Sequence, residues 1–294
     1  MQMNIGVIGG GSIGLLVSAL LSYEHTVTIY VRREQQKQAL NEYRLSVSNS
    51  EIEHPVRALL SNELKKEDCL IVCVKQGGIS DIVSMIHKSD QRMPVVFLQN
   101  GMGHVDYLKH FNQPIFVGAV EHGALKLSDH AILHTGKGVI KLAAFNRDIK
   151  ELKTFANQLV NPVFPVCLAE DWEQMLHEKL VINAVINPLT ALFDVNNGKL
   201  LRNPSLTKLA KHLCGEAALA LGLNFQEQWS RVQAVADATK DNVSSMRKDL
   251  QEERKTENEA ISGYLLNVSK YHIPYTAFVY DSIRALEVMK GIKE

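Results

Sequence analysis

The segment Ile5–Leu20, with the sequence IGVIGGGSIGLLVSAL, decides the fold of the first half of the chain. Its glycines have the spacing Gly9-x-Gly11-x-x-Gly14, directly after an apolar, strand-like run and directly before a helix-like one. In this context the spacing indicates a dinucleotide site, because the glycines permit a tight turn, close approach to a pyrophosphate and close helix–sheet packing. The helix N-terminus favours the phosphates. An ordinary tight turn is the alternative. The predicted cofactor contacts in this turn are Gly9, Gly10, Gly11, Ser12, Ile13 and Gly14.

Strand-like and helix-like segments alternate through the first half of the chain. Val- and Ile-rich runs without polar residues predict strands covered on both faces: NIGVIG, TVTIYVR, CLIVCVK, PVVFLQN and PIFVGAV. Helical segments follow the first four of them: GSIGLLVSALLSY, REQQKQALNEY, GISDIVSMIHKS and HVDYLKHF. This order predicts a parallel, doubly wound sheet. The segment AILHTGKGVIKLAAF predicts a hairpin through Gly136 and Gly138 at an antiparallel edge.

The second half of the chain predicts helices and no strand from Asp171 onward. The longest predicted helix covers VSSMRKDLQEERKTENEAISGYLLNVSKYH, with Asn242 or Ser244 as its N-cap. The pattern changes near Pro162 and Pro165. We therefore predict an α/β Rossmann-type N-terminal domain over residues 1–166 and an all-α C-terminal domain over residues 167–294.

The composition narrows the class of protein. The 294 residues carry 32 basic and 32 acidic side chains, a balance that indicates neither a nucleic-acid nor a membrane partner. The sequence has neither an apolar run of about 18 residues, which a membrane span needs, nor the features of a signal peptide. We expect a cytoplasmic protein without a metal site, and the sequence leaves a homodimer open.

The end of the second predicted strand, IYVRRE, decides which dinucleotide is favoured. An NAD site normally has an acidic residue there, which accepts a hydrogen bond from the ribose 2′-hydroxyl. Here Arg32 and Arg33 follow the strand, and arginine supplies the charge and the donors that a 2′-phosphate needs. We predict NADP(H), with Arg32 as its first contact. The alternatives are two solvated arginines and an NAD ribose held by Glu34.

Two further polar residues follow predicted strands. Lys75 ends IVCVK and Asn100 ends VVFLQN, and ligands of open α/β sheets bind outside the carboxyl ends of the strands. Both are therefore candidate site residues. For Asn100 alone the alternative is a turn-forming residue before Gly101.

Within the apolar helix EKLVINAVINPLTALF, three polar residues recur every fourth position and share one face: Lys179, Asn183 and Asn187. An unpaired buried amide costs about 1–3 kcal/mol, so a groove that holds a polar ligand explains this stripe. Contact with polar groups of other helices, or an exposed face, is the alternative. Pro188 leaves the carbonyl of Ala184 without its usual donor and suggests a kink.

A second polar cluster lies in SSMRKDLQEERKTENE, where Ser245 and Glu257 are twelve residues apart. An unbroken helix would place them about 18 Å apart along its axis, at opposite ends of one ligand assembly. Most of the charges in this segment suit a solvated helix with pairs four residues apart.

Several of these segments together resemble the ketopantoate reductases (2-dehydropantoate 2-reductases) along nearly the whole chain. The matching pieces are GGGSIG, VCVKQ, LQNGMG, EHGA, KLVINAVINPLTAL, NNGKL and SSMRKDLQEERKTE. The resemblance implies that the N-terminal domain binds NADPH and that the helical domain binds ketopantoate. It implies reduction of ketopantoate to pantoate, a step in the biosynthesis of pantothenate, the precursor of coenzyme A.

The resemblance also implies individual roles. Lys179 matches the general acid, and Glu257 matches a carboxylate that assists substrate and cofactor binding. The implied substrate contacts are Asn100, Lys179, Asn183, Asn187, Asn197 and Ser245. The implied cofactor contacts outside the glycine turn are Arg32, Lys75, Asn100, Ala124 and Glu257. One departure is Glu121 in EHGA, where a small hydroxyl residue is expected.

The chemistry agrees with this assignment. Hydride transfer to a ketone leaves charge on oxygen, which a lysine ammonium stabilises and protonates. Two alternatives remain: a related NADP-dependent 2-oxo or 3-hydroxy acid dehydrogenase, with Lys179 as a base in the oxidising direction, and a non-catalytic NADP-binding sensor. The motif Asn187-Pro188 and the segment SSMRKD favour the reductase, and the full set of polar residues argues against the sensor.

Overall fold

The computed structural model describes residues 2–48 and 53–292. The chain forms two compact units. The first comprises Met1–Gln99 and His104–Met175, and the second comprises Asn100–Gly103 and Leu176–Glu294. Within the described residues, no helix is long and apolar enough to cross a membrane.

Among its described residues, the first unit contains the strands and five complete α-helices. The strands are β1 Asn4–Ile8, β2 Thr26–Val31, β3 Leu45–Val47, β4 Glu53–His54, β5 Val56–Leu60, β6 Cys69–Val72, β7 Val95–Phe97, β8 Ile115–Val120, β9 Gly123–Lys126, β10 Ala131–Gly136, β11 Ile140–Ala144 and β12 Val166–Ala169. The helices are α1 Ser12–Leu21, α2 Glu34–Tyr43, α3 Ile79–Ile86, α4 Val105–Leu108 and α5 Ile149–Leu159.

Eight strands form the main sheet in the order β12-β11-β8-β7-β6-β1-β2-β5. All neighbours are parallel except β8 and β11. Apart from the exposed Asn4, the central strands β1, β6 and β7 are buried because both faces are covered: Ile5, Val7 and Ile71 have at most 1% of their surface exposed. The predicted α/β Rossmann-type sheet is confirmed.

The predicted hairpin through Gly136 and Gly138 is wrong. β10 pairs with β9 and β3 in a separate four-stranded sheet of order β4-β3-β10-β9. β11 instead pairs antiparallel with β8, from Ile140 opposite Val120 to Ala144 opposite Phe116. The local turn signal of the two glycines is therefore overridden by non-local pairing of each strand in its own sheet.

The first unit extends beyond residue 166, near which the sequence places the domain boundary. β12 adds a parallel strand next to β11, and the division between the units lies at Met175 and Leu176. The side chains of β12 are half-buried or exposed, so this strand lacks the apolar run that identified the others.

The second unit is helical, as predicted, and the described residues of this unit contain no strand. Its helices are α6 Trp172–Leu192, α7 Lys199–Arg202, α8 Pro204–Leu221, α9 Phe225–Ala238, α10 Ser245–Gln251, α11 Tyr264–Val268 and α12 Pro274–Met289. α6 begins in the first unit. A π-helical turn, Glu259–Gly263, precedes α11.

The predicted long helix is broken. It starts as predicted at Ser244, whose hydroxyl caps α10 by accepting from the N–H of Arg247 at 3.3 Å. α10 ends at Gln251, and Glu253 takes the left-handed conformation with φ 53°. The N–H of Arg254 then turns back to the carbonyl of Asp249 at 2.8 Å. The 18 Å helical separation expected between the two ends of the segment is therefore wrong.

Candidate active site

The glycine turn has the geometry that its spacing predicts. Gly9 has φ 115°, and its N–H donates to the carbonyl of Tyr30 at 2.9 Å. A Cβ on Gly14 would lie 1.8 Å from the carbonyl oxygen of Gly9. A Cβ on Gly11 would meet no non-neighbouring atom of the described chain within 4 Å. The structure therefore requires Gly9 and Gly14 for the turn itself, whereas Gly11 faces open space that fits a phosphate.

The first turn of α1 presents backbone donors. Its N-cap, Gly11, has an extended conformation and provides no side-chain cap. The first turn, which begins with Ser12 and Ile13, contains no acidic residue. The N–H groups and the positive end of the helix dipole are thus suited to an anion.

The carbonyl of Gly10 is held by residues that the sequence did not identify. It accepts hydrogen bonds from Gln36 Nε2 at 2.8 Å and from Lys126 Nζ at 3.1 Å. Lys126 also pairs with Asp129 at 3.0 Å. Gln36 lies on the polar helix α2 but is only 5% exposed, and no local sequence pattern predicts that it is buried. These contacts fix the orientation of the turn.

The two arginines after β2 differ in their surroundings. Arg33 forms an ion pair with Asp129. Burial raises the pKa of Asp129, but hydrogen bonds from Lys126 and Arg33 outweigh it and hold this pKa below its usual value. Arg32 is exposed, and no hydrogen bond or ion pair joins it to the described residues. Arg32 is therefore the arginine whose charge remains available to a ligand.

Lys75 follows β6, a parallel neighbour of β1, so it leaves the sheet at the same edge as the glycine turn. It is exposed, and its carbonyl accepts from the N–H of Gly78 at 2.9 Å at the start of the 3₁₀ turn Gln76–Gly78. Its position agrees with the general location of ligands at the carboxyl ends of strands.

Ala124 lies in β9, opposite His134 of β10. The preceding Glu121, the departure noted in the sequence, is exposed and forms an ion pair with Lys141 at 2.7 Å. Between them, His122 is buried, and its Nδ1 lies 3.1 Å from His134 Nε2. Burial, helped by the neighbouring His134, lowers the pKa of His122 to about 4. The sequence carries no signal for this histidine pair, because the two residues are brought together only by strand pairing.

The polar stripe of α6 is present on a continuous helix. Asn187 is 7% exposed, whereas Lys179 and Asn183 are half-buried. The amide nitrogen of Asn183 is buried and has no hydrogen-bond partner among the described residues. A buried donor without a partner costs about 1–3 kcal/mol, so a polar ligand on this face would relieve that cost.

Pro188 lies inside α6 without ending it. Two residues later, the Thr190 hydroxyl donates to the carbonyl of Ile186 at 2.7 Å and lies 2.6 Å from the Ser244 hydroxyl. This contact places the N-terminus of α10 beside the end of the stripe. Ser245, the first residue of α10, is exposed there.

Asn197 precedes α7 and is buried. Its side-chain nitrogen donates to Thr239 Oγ1 at 2.9 Å, and its N–H donates to the carbonyl of Asn242 at 3.2 Å. Its Oδ1 is buried without a partner in the described part of the chain. Asn197 therefore has two structural contacts and one acceptor that a ligand would satisfy.

The structure brings Asn100 and Glu257 together, although they are far apart in the sequence. Asn100 Nδ2 donates to Glu257 Oε2 at 3.3 Å. The adjacent Gly101 has φ 73°, and a Cβ there would lie 2.5 Å from the carbonyl oxygen of Ala260. The N–H of Met102 donates to that oxygen at 3.1 Å. Gly101 thus lets the Asn100 segment pack directly on the π-helical turn.

The comparisons with known proteins agree with this architecture. Residues 5–147 match the family described as Ketopantoate reductase PanE/ApbA, and residues 171–287 match its C-terminal domain. The 2-dehydropantoate 2-reductase of Bacillus subtilis (strain 168) is 40% identical over 292 residues, which cover 97% of this chain and 98% of that protein. The chain belongs to the ketopantoate reductase family. The resemblance found in the sequence is confirmed.

Solved structures support the membership in the ketopantoate reductase family. The crystal structure of a probable 2-dehydropantoate 2-reductase, panE, from Bacillus subtilis has a TM-score of 0.84 and 40% identity, and the match covers 96% of this chain and 99% of that one. A ternary structure of D-mandelate dehydrogenase with NADH and anilino(oxo)acetate has a TM-score of 0.92, with 20% identity and coverage of 99% and 100%. The second likeness shows the fold alone.

Proposed function

We propose that the protein is an NADPH-dependent 2-dehydropantoate 2-reductase, which reduces the 2-keto group of ketopantoate to the hydroxyl of pantoate for pantothenate biosynthesis. The observation that carries the proposal is the stripe of Lys179, Asn183 and Asn187, with its buried, unpartnered amide, in a chain whose full-length relative has this name. The same chemistry follows independently from a cation placed among amides.

The first unit would hold the cofactor. The open space at Gly11 and the donors of the first turn of α1 suit the pyrophosphate. Arg32 would bind the 2′-phosphate, since Arg33 is engaged by Asp129. Lys75 and Ala124 are further proposed contacts. When bound, NADPH supplies the hydride.

The second unit would hold the substrate. The Lys179 ammonium would stabilise the charge that develops on the keto oxygen and donate a proton to it. Amides such as Asn183 and Asn187 would bind the carbonyl and hydroxyl oxygens, and Ser245 with backbone donors would bind the carboxylate. Asn197 is a further proposed substrate contact.

Asn100 and Glu257 would serve both ligands. Their hydrogen bond at 3.3 Å directs an amide and a carboxylate to one place. The carboxylate accepts from hydroxyl donors, and the carbonyl oxygen of the amide adds a further acceptor.

A steady-state assay with NADPH and ketopantoate tests the proposal. We expect NADPH oxidation that depends on ketopantoate and is slower with NADH. Other 2-oxo acids serve as the control set. Turnover of another 2-oxo acid but not of ketopantoate would show that ketopantoate is not the substrate. NADPH binding without any turnover would indicate a non-catalytic NADP-binding sensor.

The cytoplasmic location and the homodimer stay predictions. Cell fractionation tests the first and sedimentation velocity tests the second. A single species at the monomer mass would contradict the dimer.

A further inference from the structure

The conformation of the segment around Glu257 is set by buried neighbours on either side. Thr256 is 8% exposed and Asn258 is 2% exposed, whereas Gln251 to Lys255 are exposed. The segment follows the left-handed Glu253, and Ile261 of the π-helical turn donates its N–H to the carbonyl of Glu257 at 3.1 Å. No helical ladder supports the residues before Glu257, so their conformation depends on tertiary contacts.

Those contacts come from α12. The N–H of Thr256 donates to Glu287 Oε1 at 2.8 Å. Asn258 Nδ2 donates to the carbonyl of Tyr280 at 2.9 Å. The N–H of Asn258 donates to Thr256 Oγ1 at 3.2 Å. Glu257 thus lies between two residues that are both tied to α12.

In the Glu287 contact α12 contributes a side chain, whereas in the Tyr280 contact it contributes a backbone carbonyl. A carboxylate that accepts a backbone N–H makes a charge-assisted hydrogen bond, which is stronger than a neutral one. Glu287 is half-buried, and α12 packs through other residues, including the buried Thr276, Val279 and Ile283. Loss of the Glu287 carboxylate should therefore leave the helix in place and release the backbone at Thr256.

We propose that Glu287 is a positioning residue that holds the backbone at Thr256 so that the Glu257 carboxylate meets Asn100. The inference rests on the proposed function, in which Glu257 and Asn100 bind both ligands. Glu287 itself touches neither ligand. It acts through Glu257, and its effect must disappear when the Glu257 carboxylate is removed.

A double-mutant cycle tests this dependence. Glu287→Ala is made in the wild-type chain and in the Glu257→Gln chain, and NADPH Kd, kcat/KM for ketopantoate and thermal unfolding are measured. In the wild-type background we expect about a tenfold loss in Kd or kcat/KM, which corresponds to about one net hydrogen bond. In the Glu257→Gln background we expect little further loss. Equal losses in both backgrounds, or wild-type values for Glu287→Ala, would overturn the proposal.

Two conservative variants separate a hydrogen bond from a charge effect. Glu287→Gln keeps an acceptor at the same reach and should retain most of the function. Glu287→Asp keeps the charge but shortens the side chain, and it should resemble Glu287→Ala. A larger loss of function in Glu287→Gln than in Glu287→Asp would overturn the proposal. Both changes are mild enough to decide the case if Glu287→Ala does not fold.

Asp281→Ala is the matched control, because it removes an exposed carboxylate from the same helix. We expect wild-type values for it; a loss equal to that of Glu287→Ala would mean a general effect of α12 charge and would overturn the proposal. If the wild-type chain does not turn over ketopantoate, the proposed function fails. The double-mutant cycle is then evaluated from the Kd of NADPH alone. Additive effects of Glu287→Ala and Glu257→Gln on this Kd would still contradict the positioning role of Glu287.

Discussion

At the scale of single residues, Arg32 and Arg33, which follow β2, are expected to differ in their effect on the preference for NADPH over NADH. Arg32→Ala should weaken NADPH binding roughly ten- to a hundredfold, because a charge-assisted contact contributes about 1.5–3 kcal/mol. NADH binding should change little, since NADH lacks the 2′-phosphate. Titrations with both cofactors measure the ratio.

Arg33→Ala is the matched control for this prediction. Arg33 already pairs with Asp129, so removal of the Arg33 side chain should change the affinities for NADPH and NADH to a similar extent. An unchanged NADPH/NADH ratio in Arg32→Ala would contradict the assignment of the 2′-phosphate contact.

Lys179 has the role that is simplest to test by kinetics. As general acid, it should contribute a factor of about 10²–10⁴ to kcat, so Lys179→Ala should lose that factor. NADPH binding should survive, because the glycine turn and Arg32 lie in the first unit. Turnover, NADPH titration and thermal unfolding are measured on the same variant.

Lys199→Ala removes an exposed lysine from the same unit and should behave as wild type. If folded Lys179→Ala retains turnover within about threefold of wild type, a barrier change of about 0.7 kcal/mol, Lys179 is not the acid. A large loss of stability with little loss of kcat would make the stripe structural.

His122 predicts how stability depends on pH. Burial and the neighbouring His134 lower its pKa from 6.5 to about 4, against a raising effect of Glu121. Between these values the unfolded chain binds the proton more tightly than the folded chain. Stability from this residue is therefore complete above pH 6.5 and is lost as the pH falls towards 4, by up to about 3 kcal/mol.

Denaturant unfolding of wild type and His122→Gln at several pH values measures this contribution. The variant should lose less stability on acidification, although His25, His54 and His134, whose pKa values are also lowered, keep some slope. Parallel curves of unfolding free energy against pH would rule out the contribution of His122.

At the scale of elements, the sequence predicted the buried strands and failed for the exposed ones. β1, β2, β6, β7 and β8 have continuous apolar runs because both faces are covered. β9 and β12 are half-buried or exposed throughout, and β3 and β4, with three and two residues, are too short to show a period. The break after α10 was missed for another reason: its segment contains good helix formers, and the left-handed turn that ends the helix lies at Glu253 rather than at a glycine.

The features of the candidate site also fall into a group that the sequence predicted and a group that it did not. The sequence identified the glycine turn and the α6 stripe, whose residues are close in the chain. It did not derive the pairing of Asn100 with Glu257, or the contacts of Gln36 and Lys126 with the turn, because these depend on tertiary structure.

The β1–α1 turn makes a prediction in which two glycine substitutions differ. Gly14→Ala should destabilise the first unit strongly, because its Cβ would overlap the carbonyl of Gly9. Gly11→Ala should fold with nearly wild-type stability, because its Cβ meets open space, yet it should bind NADPH poorly. Thermal unfolding and NADPH titration distinguish the two. Wild-type NADPH affinity in Gly11→Ala would mean that the phosphates bind elsewhere.

At the scale of the whole molecule, the family matches cover both halves of the chain, and the chemistry assigned to each half is different. The net charge of zero indicates no general attraction for an anionic cofactor. Cofactor affinity must therefore come from local donors, namely the N-terminus of α1 and Arg32, and should be sensitive to single substitutions there.

This local origin gives a prediction for the stability of the intact chain. A ligand that binds only the folded state stabilises it by RT ln(1 + [L]/Kd), which is about 2.7 kcal/mol at a hundredfold excess over Kd. The midpoint temperature of thermal unfolding should therefore rise with NADPH concentration, and it should rise less with NADH at equal concentration. Gly11→Ala should unfold like wild type without cofactor but show little shift with it. Calorimetry across an NADPH series measures these shifts. Equal shifts for the wild type and Gly11→Ala would show that the cofactor does not bind at this turn, since linkage requires the stabilisation to follow the affinity.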